Sequence, residues 1–435
     1  MPLSMNRKMK TLANGMKVIL IEKPDFARSL FMIGVPAGST NLVDEHDNLE
    51  VSHPLGCAHF LEHKMFRLNG KDVTYDLAAV QAKSNAFTSY NETCYYVWTN
   101  ADPIAPLDIL IDFVQTLDID EESVEKEKGI ILSEYSQYDQ DPEMRLLKET
   151  FVSLYHNHPL RYDILGKPED ISAMTEEDLR AFYDVWYDPS QLTLVGITGR
   201  DTDELMAWIE EKEKQYPAKF ARPARKLLPE EEHDVFRPRH TLRMDVDLSY
   251  VCVGVKLDPA TGSNNDVVRE DYMLNLWLNG VFSTMNPDCQ TWLDQQLIGP
   301  MFGAEADVDR DHGYMLIYAQ SDRPDEFCWT MTEELQKKTP LSREVFESVL
   351  IREKATAIRL MDNFDGLAQQ SVRQSFTGYD PLDDVDILNS ITYEEFNEWI
   401  ARQDFSRTVE TIVLPLARDE ENDQEEDSSS AVLAA

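Results

Sequence analysis

GCAHFLEHKMF, residues 56–66, is the stretch from which the fold and chemistry of this chain are best inferred. His59 and His63 are four residues apart, so on a helix both imidazoles share one face and can reach one ion. Glu62 lies between them and is too close to His63 to be a comfortable ligand of the same ion. The alternative is a pair of surface histidines on an acidic helix.

The order H-x-x-E-H is typical of a zinc-dependent hydrolytic site. A catalytic Zn²⁺ has three protein ligands and an open position for water, whose pKa it lowers. The two histidines supply two ligands, and Glu62 remains as the general base. H-x-x-E-H is the reverse of H-E-x-x-H and is a metallopeptidase signature. The third ligand, a carboxylate or a histidine, must come from elsewhere in the chain.

A long helix predicted over residues 121–138 can supply that ligand. Glu127 and Glu134 are seven residues apart, so they share one helix face. The simplest assignment makes Glu134 the third ligand and Glu127 an outer support of a ligand histidine. The alternative is that both glutamates are simply solvated.

The composition narrows the class of protein. A chain of 435 residues exceeds one ordinary hydrophobic core and predicts two or more domains. Its 41 Lys and Arg residues against 80 Asp and Glu residues give a formal charge of −39, which disfavours nucleic acid and anionic membranes as partners. The excess carboxylates either solvate the surface, as in a salty habitat, or attract cationic peptides.

Neither the cysteines nor the hydropathy indicates an exported or membrane-bound protein. The five cysteines are odd in number and widely spaced, and they predict no disulfide framework. The first 20 residues hold no apolar run of signal-peptide length, and no stretch of about 18 apolar residues occurs. We therefore expect a cytoplasmic protein.

Local composition divides the chain into four parts. A catalytic domain is predicted over residues 1–217, followed by a proline-containing linker over 218–239 and a second domain over 240–418. Residues 419–435 are acidic and serine-rich and predict a disordered tail.

The second half of the chain echoes the first. Residues 390–414 repeat the order of features in 172–197, and a helix over 342–354 matches one over 120–128, both a little over two hundred residues later. This pattern indicates duplication of one α+β domain. The second copy has no H-x-x-E-H motif, and residues 271–279 take the corresponding helical place.

Four motifs in this order give the chain a family resemblance. They are Asn14-Gly15, the stretch 56–63, Ser84–Thr88 and the stretch 127–134. With them the chain resembles the M16 (pitrilysin) metallopeptidases, or inverzincins, and within them the M16B branch. In that branch it is similar to the zinc-carrying subunits of the mitochondrial-processing-peptidase type.

The resemblance implies a fold and an activity. The fold would be two homologous α+β domains of the LuxS/metallohydrolase type joined by a linker. The activity would be that of a metalloendopeptidase with one Zn²⁺ per chain on His59, His63 and Glu134. Glu62 would be the general base, and Glu127 would support the ligands.

The resemblance also implies how substrate is held. In this family an extended peptide adds to the edge of the active-site sheet, which is β-augmentation. The matching substrate-binding residues are Ser84, Asn85, Ala86, Phe87 and Thr88. Unfolded leader peptides, presequences or oligopeptides fit such a site, and the acidity of the chain favours basic ones.

One departure from the family pattern concerns the second domain. Active members usually carry an arginine there and, seven residues on, a tyrosine; together they bind the substrate carbonyl. The corresponding positions are Gln295 and Phe302, which lack the cation and the hydroxyl. Arg310 or Tyr314 could instead be displaced substitutes.

Three explanations of this departure remain. A sister subunit without zinc ligands could supply the missing pair in a heterodimer, which we favour. The chain could be a self-sufficient homodimer. It could also be a non-proteolytic interaction or scaffold subunit, although an intact zinc set argues against that role.

Overall fold

The computed structural model describes residues 5–46, 48–219 and 222–416. The predicted tail over 419–435 lies outside these residues. Two halves of similar architecture make up the described chain, each with helices packed on a mostly antiparallel sheet. The predicted α+β class is therefore confirmed.

The first half is built on a six-stranded sheet within the described residues. The strands of this half are β1 (Arg7–Thr11), β2 (Lys17–Glu22), β3 (Ser29–Val35), β4 (Val43–His46), β5 (Leu49–Ser52), β6 (Arg67–Leu68), β7 (Lys71–Asp72), β8 (Ala82–Thr88), β9 (Thr93–Thr99) and β10 (Thr193–Thr198). The main sheet has the order β1-β2-β10-β3-β9-β8, and β10 is parallel to β2. Strand β8 therefore lies at an edge.

Eight α-helices cover this half in the described residues. They are α1 (Cys57–Lys64), α2 (Val73–Ala79), α3 (Ile104–Val114), α4 (Glu121–Gln140), α5 (Pro142–Leu154), α6 (Pro168–Ala173), α7 (Glu176–Trp186) and α8 (Thr202–Glu213). A 3-10 turn follows α5 at Pro159–Arg161. Helix α2 is short: Gln81, two residues after its end, adopts a left-handed φ of 59°, and β8 begins at the next residue.

The second half repeats this arrangement. After β11 (Arg225–Lys226), which pairs with β4, its strands are β12 (Arg239–Met244), β13 (Ser249–Lys256), β14 (Phe302–Val308), β15 (Gly313–Ser321) and β16 (Thr408–Pro415). Its helices are α9 (Asn264–Val281), α10 (Pro287–Asp294), α11 (Pro324–Lys337), α12 (Arg343–Leu360), α13 (Phe364–Thr377), α14 (Asp384–Ser390) and α15 (Tyr393–Arg402), with a 3-10 turn at Pro381–Asp383.

The sheet orders establish the duplication. The second sheet runs β12-β16-β13-β15-β14, which matches β2-β10-β3-β9-β8 strand for strand. The long helices α4 and α12 also correspond, as the sequence predicts. The boundaries at 217, 239 and 418 stay a prediction, since the sheets and helices do not fix them.

The two halves exchange one helix each. Helix α13 of the second half packs on β3 and β10 of the first, and α5 of the first half packs on β13 and β16 of the second. A glycine makes room in both places. A Cβ built on Gly34 would lie 2.2 Å from Val372 Cγ1, and one on Gly254 would lie 2.9 Å from Thr150 Cγ2.

Two further expectations concern the cysteines and the hydropathy. All five cysteines are free and buried. In the part of the chain that is described, we find no helix with the length and apolar character needed to cross a membrane.

Substitution at the exchanged-helix contact tests this interlock. Gly34→Ala should lower the free energy of unfolding by about 1–3 kcal/mol, because the added Cβ overlaps Val372. Combining it with Val372→Ala should remove the overlap and cost less than the two single changes together. The measurement is urea denaturation followed by circular dichroism.

Gly129→Ala is the matched control. This glycine lies in α4, and a Cβ added to it would meet no atom within 4 Å, so alanine should be neutral or stabilising. Strictly additive effects at residues 34 and 372 would contradict the packing described.

Candidate metal centre

Helix α1 begins at a position that only glycine can occupy. Gly56 is its N-cap with a φ of 80°, and a Cβ at this position would lie 2.2 Å from the carbonyl oxygen of Leu165. The helix that follows is short and packs against α4, α7 and the edge strand β8. His59 and His63 share one face of it, with ring centroids 4.7 Å apart.

Helix α4 presents the two glutamates to that face. Its start is fixed by a capping box, in which Asp120 accepts a hydrogen bond from the N–H of Ser123 at 2.8 Å. The helix then runs unbroken past both glutamates. The structure thus brings Glu127 and Glu134 to the same side as the histidines, as their spacing predicts.

Three potential ligand atoms converge between the helices. Oε2 of Glu134 lies 3.4 Å from Nε2 of His63 and 3.8 Å from Nε2 of His59. In a tetrahedral zinc site with bonds of about 2.0–2.2 Å, neighbouring ligand atoms lie about 3.4 Å apart. The two imidazole nitrogens and the carboxylate are of the ligand types that Zn²⁺ takes, and the Glu134 oxygen lies at or slightly beyond this separation from each nitrogen.

Glu127 holds the second histidine from behind. Its Oε1 lies 3.1 Å from Nδ1 of His63, and its Oε2 accepts a hydrogen bond from Lys64 Nζ at 3.0 Å. This contact directs Nε2 of His63 toward Glu134. Burial opposes ionisation of Glu127, but the hydrogen bonds from His63 and Lys64 outweigh it and lower the pKa of its carboxyl.

The two histidines differ in their surroundings. Burial, with the neighbouring His63, lowers the pKa of His59 to about 3, so its imidazole is neutral, as a metal ligand must be. Burial acts in the same direction on His63, but the hydrogen bond to Glu127 and the charges of Glu62 and Glu134 prevail and raise its pKa.

Glu62 lies beside the cluster and contacts the edge strand. Its Oε2 accepts a hydrogen bond from Thr88 Oγ1 at 3.2 Å. Burial raises the pKa of its carboxyl, and the nearby Glu134 adds to this effect. Ligand atoms of His59, Glu62 and His63 also lie within 4.8 Å of one another.

The edge strand is open on one side. Among the described strands β8 pairs only with β9. Asn85 is exposed, and its side chain accepts a hydrogen bond from the N–H of Ala86 at 3.0 Å. Ser84, Phe87 and Thr88 are half-buried.

A cavity of about 430 Å³ adjoins the cluster. His59, Glu62 and Glu134 border it. Much of its remaining lining is apolar: Phe87, Met144, Leu147, Phe151, Leu160 and Leu165. The cavity can therefore receive an apolar side chain next to the candidate metal ligands.

The four second-half residues considered for binding the substrate carbonyl all make contacts within their own surroundings. Gln295 caps α10, and Phe302 begins β14 with its ring 6.1 Å from Trp292. Arg310 bonds the carbonyl of Gly262 and the side chain of Asn264. Tyr314 packs on Phe151 and His312. None of these contacts is with His59, Glu62, His63 or Glu134.

A second group of potential ligands is less suited to a metal. His158, Asp311 and His312 lie close together. Nδ1 of His158 accepts a hydrogen bond from the N–H of Leu160 at 3.2 Å, which puts the proton on its Nε2. Asp311 is already bonded to His312 at 2.6 Å and to Lys226 at 2.9 Å.

The sequence did not indicate every contributor to the centre. Lys64 adjoins the motif, but nothing in its spacing points to Glu127. Thr88 was expected only to bind substrate, and the sequence did not predict its hydrogen bond to Glu62. The cavity wall at residues 160–165 carries no motif that we could interpret.

Comparison with known families gives two adjoining matches. The insulinase domain of peptidase family M16 matches residues 17–167, which include His59, Glu62, His63 and Glu134. The peptidase M16 inactive domain matches residues 173–348, which include Gln295 and Phe302.

Individual relatives agree with these matches. The uncharacterized zinc protease YmfH of Bacillus subtilis is 27% identical over 90% of this chain and 92% of its own length. The mitochondrial-processing peptidase subunit beta of Lentinula edodes is 23% identical over 88% of this chain and 84% of its own. The crystal structure of a putative M16-like peptidase from Alicyclobacillus acidocaldarius superposes with a TM-score of 0.89 at 28% identity, covering 96% of this chain and all of that one, 100%.

Substitution of Glu127 and Glu134 in α4 should lower the affinity for zinc to different extents. Removing an outer support typically costs roughly 10- to 100-fold in metal affinity, which we expect for Glu127→Ala. Glu134→Ala should lose more, because it removes a ligand atom. Zinc affinity can be measured by competition with a chromophoric chelator.

Glu125→Ala is the control on the same helix, since this exposed side chain pairs with Lys128. It should bind zinc like the unmodified protein. Full zinc affinity in Glu134→Ala would move the third ligand elsewhere.

Proposed function

This chain belongs to the peptidase M16 family, and from that premise we propose that it is a zinc metalloendopeptidase subunit acting on unfolded peptides. The observation that carries the proposal is the convergence of His59, His63 and Glu134 beside Glu62. All four stand next to an open sheet edge and an apolar cavity.

Each residue has a role in hydrolysis. A bound Zn²⁺ supplies a Lewis acid that acidifies water and polarises the scissile carbonyl. Glu62 takes the proton of the attacking water and passes it to the leaving amine. Thr88 orients Glu62 through its hydrogen bond, and Glu127 fixes the ring of His63.

The sheet edge and cavity suggest the substrate class. An extended peptide adding to β8 at Ser84–Thr88 would satisfy its own backbone there, which requires an unfolded segment. The cavity would take one apolar side chain. Leader peptides, presequences and oligopeptides meet these conditions, and the charge of −39 favours basic ones.

The second half suggests a partner. Gln295 and Phe302 supply neither a cation nor a hydroxyl for the substrate carbonyl, so a sister M16 subunit would supply both. The similarity to a protein named as a peptidase subunit supports this arrangement. A self-sufficient homodimer and a non-proteolytic scaffold are the alternatives.

Glu62→Gln tests the assignment of the base. The variant should keep its zinc and lose peptide hydrolysis by several orders of magnitude, because the amide cannot accept the proton. Hydrolysis of unfolded peptides and zinc content are measured on the same sample. Full activity in this variant would eliminate Glu62 as the base.

Hydrolysis by the purified chain alone tests the need for a partner. One missing oxyanion donor costs about 100- to 1000-fold in rate, so the zinc-loaded chain should be nearly inert by itself. Co-purification of a second M16 subunit that restores the rate would support the heterodimer. Robust, chelator-sensitive hydrolysis by a homodimer would contradict it.

A further inference from the structure

One wall of the cavity is a continuous segment whose ends are fixed by different parts of the chain. Residues 160–165 line the cavity, and the first two of them are the last two residues of the 3-10 turn Pro159–Arg161. At the far end, the backbone of Gly166 packs against that of Gly56, so this end of the wall is held against the start of α1. At the near end, the contact comes from Glu231, in the predicted linker.

The carboxylate of Glu231 gathers three consecutive backbone amides. Its Oε1 accepts a hydrogen bond from the N–H of His156 at 2.8 Å. Its Oε2 accepts from the N–H groups of Asn157 and His158, at 2.7 and 2.6 Å. These residues directly precede the wall, and His158 in turn caps the 3-10 turn through the N–H of Leu160.

A buried lysine of the second half holds this carboxylate in place. Lys256, at the end of β13, is 4% exposed, and its Nζ donates to Oε1 of Glu231 at 2.6 Å. The same Nζ donates to the carbonyls of Glu232 and Asp234 at 2.7 and 3.0 Å. Burial opposes the charge on Glu231, but Lys256 and the three amides overcome it and lower the pKa of the carboxyl.

The arrangement requires a carboxylate. Two oxygens accept four hydrogen bonds here, three from amides and one from an ammonium group. A glutamine would turn one acceptor into a donor and point it at other donors. The shape of the side chain would be kept while the hold on the wall is lost.

We propose that Glu231 is a positioning residue that sets the depth of the cavity and thereby the preference for a large side chain in the bound peptide. This inference rests on the proposed function, because it assigns the cavity to a substrate side chain. Glu231 reaches the substrate only through the wall.

The test compares two unfolded peptides that differ at one residue, phenylalanine or alanine. Binding is measured by fluorescence anisotropy on the zinc-loaded, full-length Glu62→Gln protein, so that no peptide is cleaved. Burying a phenylalanine side chain should favour the first peptide by about 10- to 100-fold. Adding Glu231→Gln should bring that ratio close to one by weakening only the phenylalanine peptide.

Glu230→Gln is the matched control. Glu230 is exposed and meets Asn157 through its backbone carbonyl, so the substitution should leave the ratio unchanged. Amide hydrogen exchange over residues 156–158 should be faster in Glu231→Gln than in this control.

The outcomes separate the inference from the function. An unchanged ratio, equal weakening of both peptides, unaltered exchange, or no size preference in the Glu62→Gln protein would each overturn the role of Glu231. If the protein with Glu62 intact cleaves neither peptide even with its partner, the proposed function fails, while the binding ratio still decides the inference.

Discussion

The candidate metal centre depends on the packing of helix α1 against helix α4. The short helix carries two histidines one turn apart, and the long one carries two glutamates two turns apart. Only their contact brings Nε2 of His63 within 3.4 Å of Glu134. Gly56 makes this packing possible, because any side chain there would collide with Leu165. The candidate metal site and the cavity wall are therefore directly connected through the packing of Gly56 on Leu165 and Gly166.

The two halves are bound together more closely than a simple duplication requires. Each gives the other one helix, and Gly34 and Gly254 occupy equivalent places where these helices pack. The Lys256 contact with Glu231 adds a polar tie at the cavity. Although the second half has no H-x-x-E-H motif, it thus supports the shape of the first.

Local patterns predicted much of this architecture. His59, Glu62 and His63 can be recognised from the sequence because the H-x-x-E-H spacing on one helix is itself a metallopeptidase signature. Glu127 and Glu134 follow from their common helix face, and the duplication follows from repeated helix and strand order. The family resemblance then added the proposed role of the β8 edge in substrate binding, which periodicity alone does not give.

Other features depend on contacts between distant residues and carry no local pattern. Nothing near Val372 predicts that it packs on Gly34, and nothing near Glu231 predicts that it caps residues 156–158. The hydrogen bond from Lys64 to Glu127 could not be predicted either, because the two residues are 63 positions apart in the sequence. Such contacts are set by how the halves assemble, which neither spacing nor propensity encodes.

An anomalous difference map at the zinc absorption edge, from crystals of the purified protein, tests the central claim most directly. We expect one peak bounded by His59, His63 and Glu134, with Glu127 on the opposite side of the His63 ring. A peak at the His158 group, or one ligated by Glu127 instead of Glu134, would contradict the assignment.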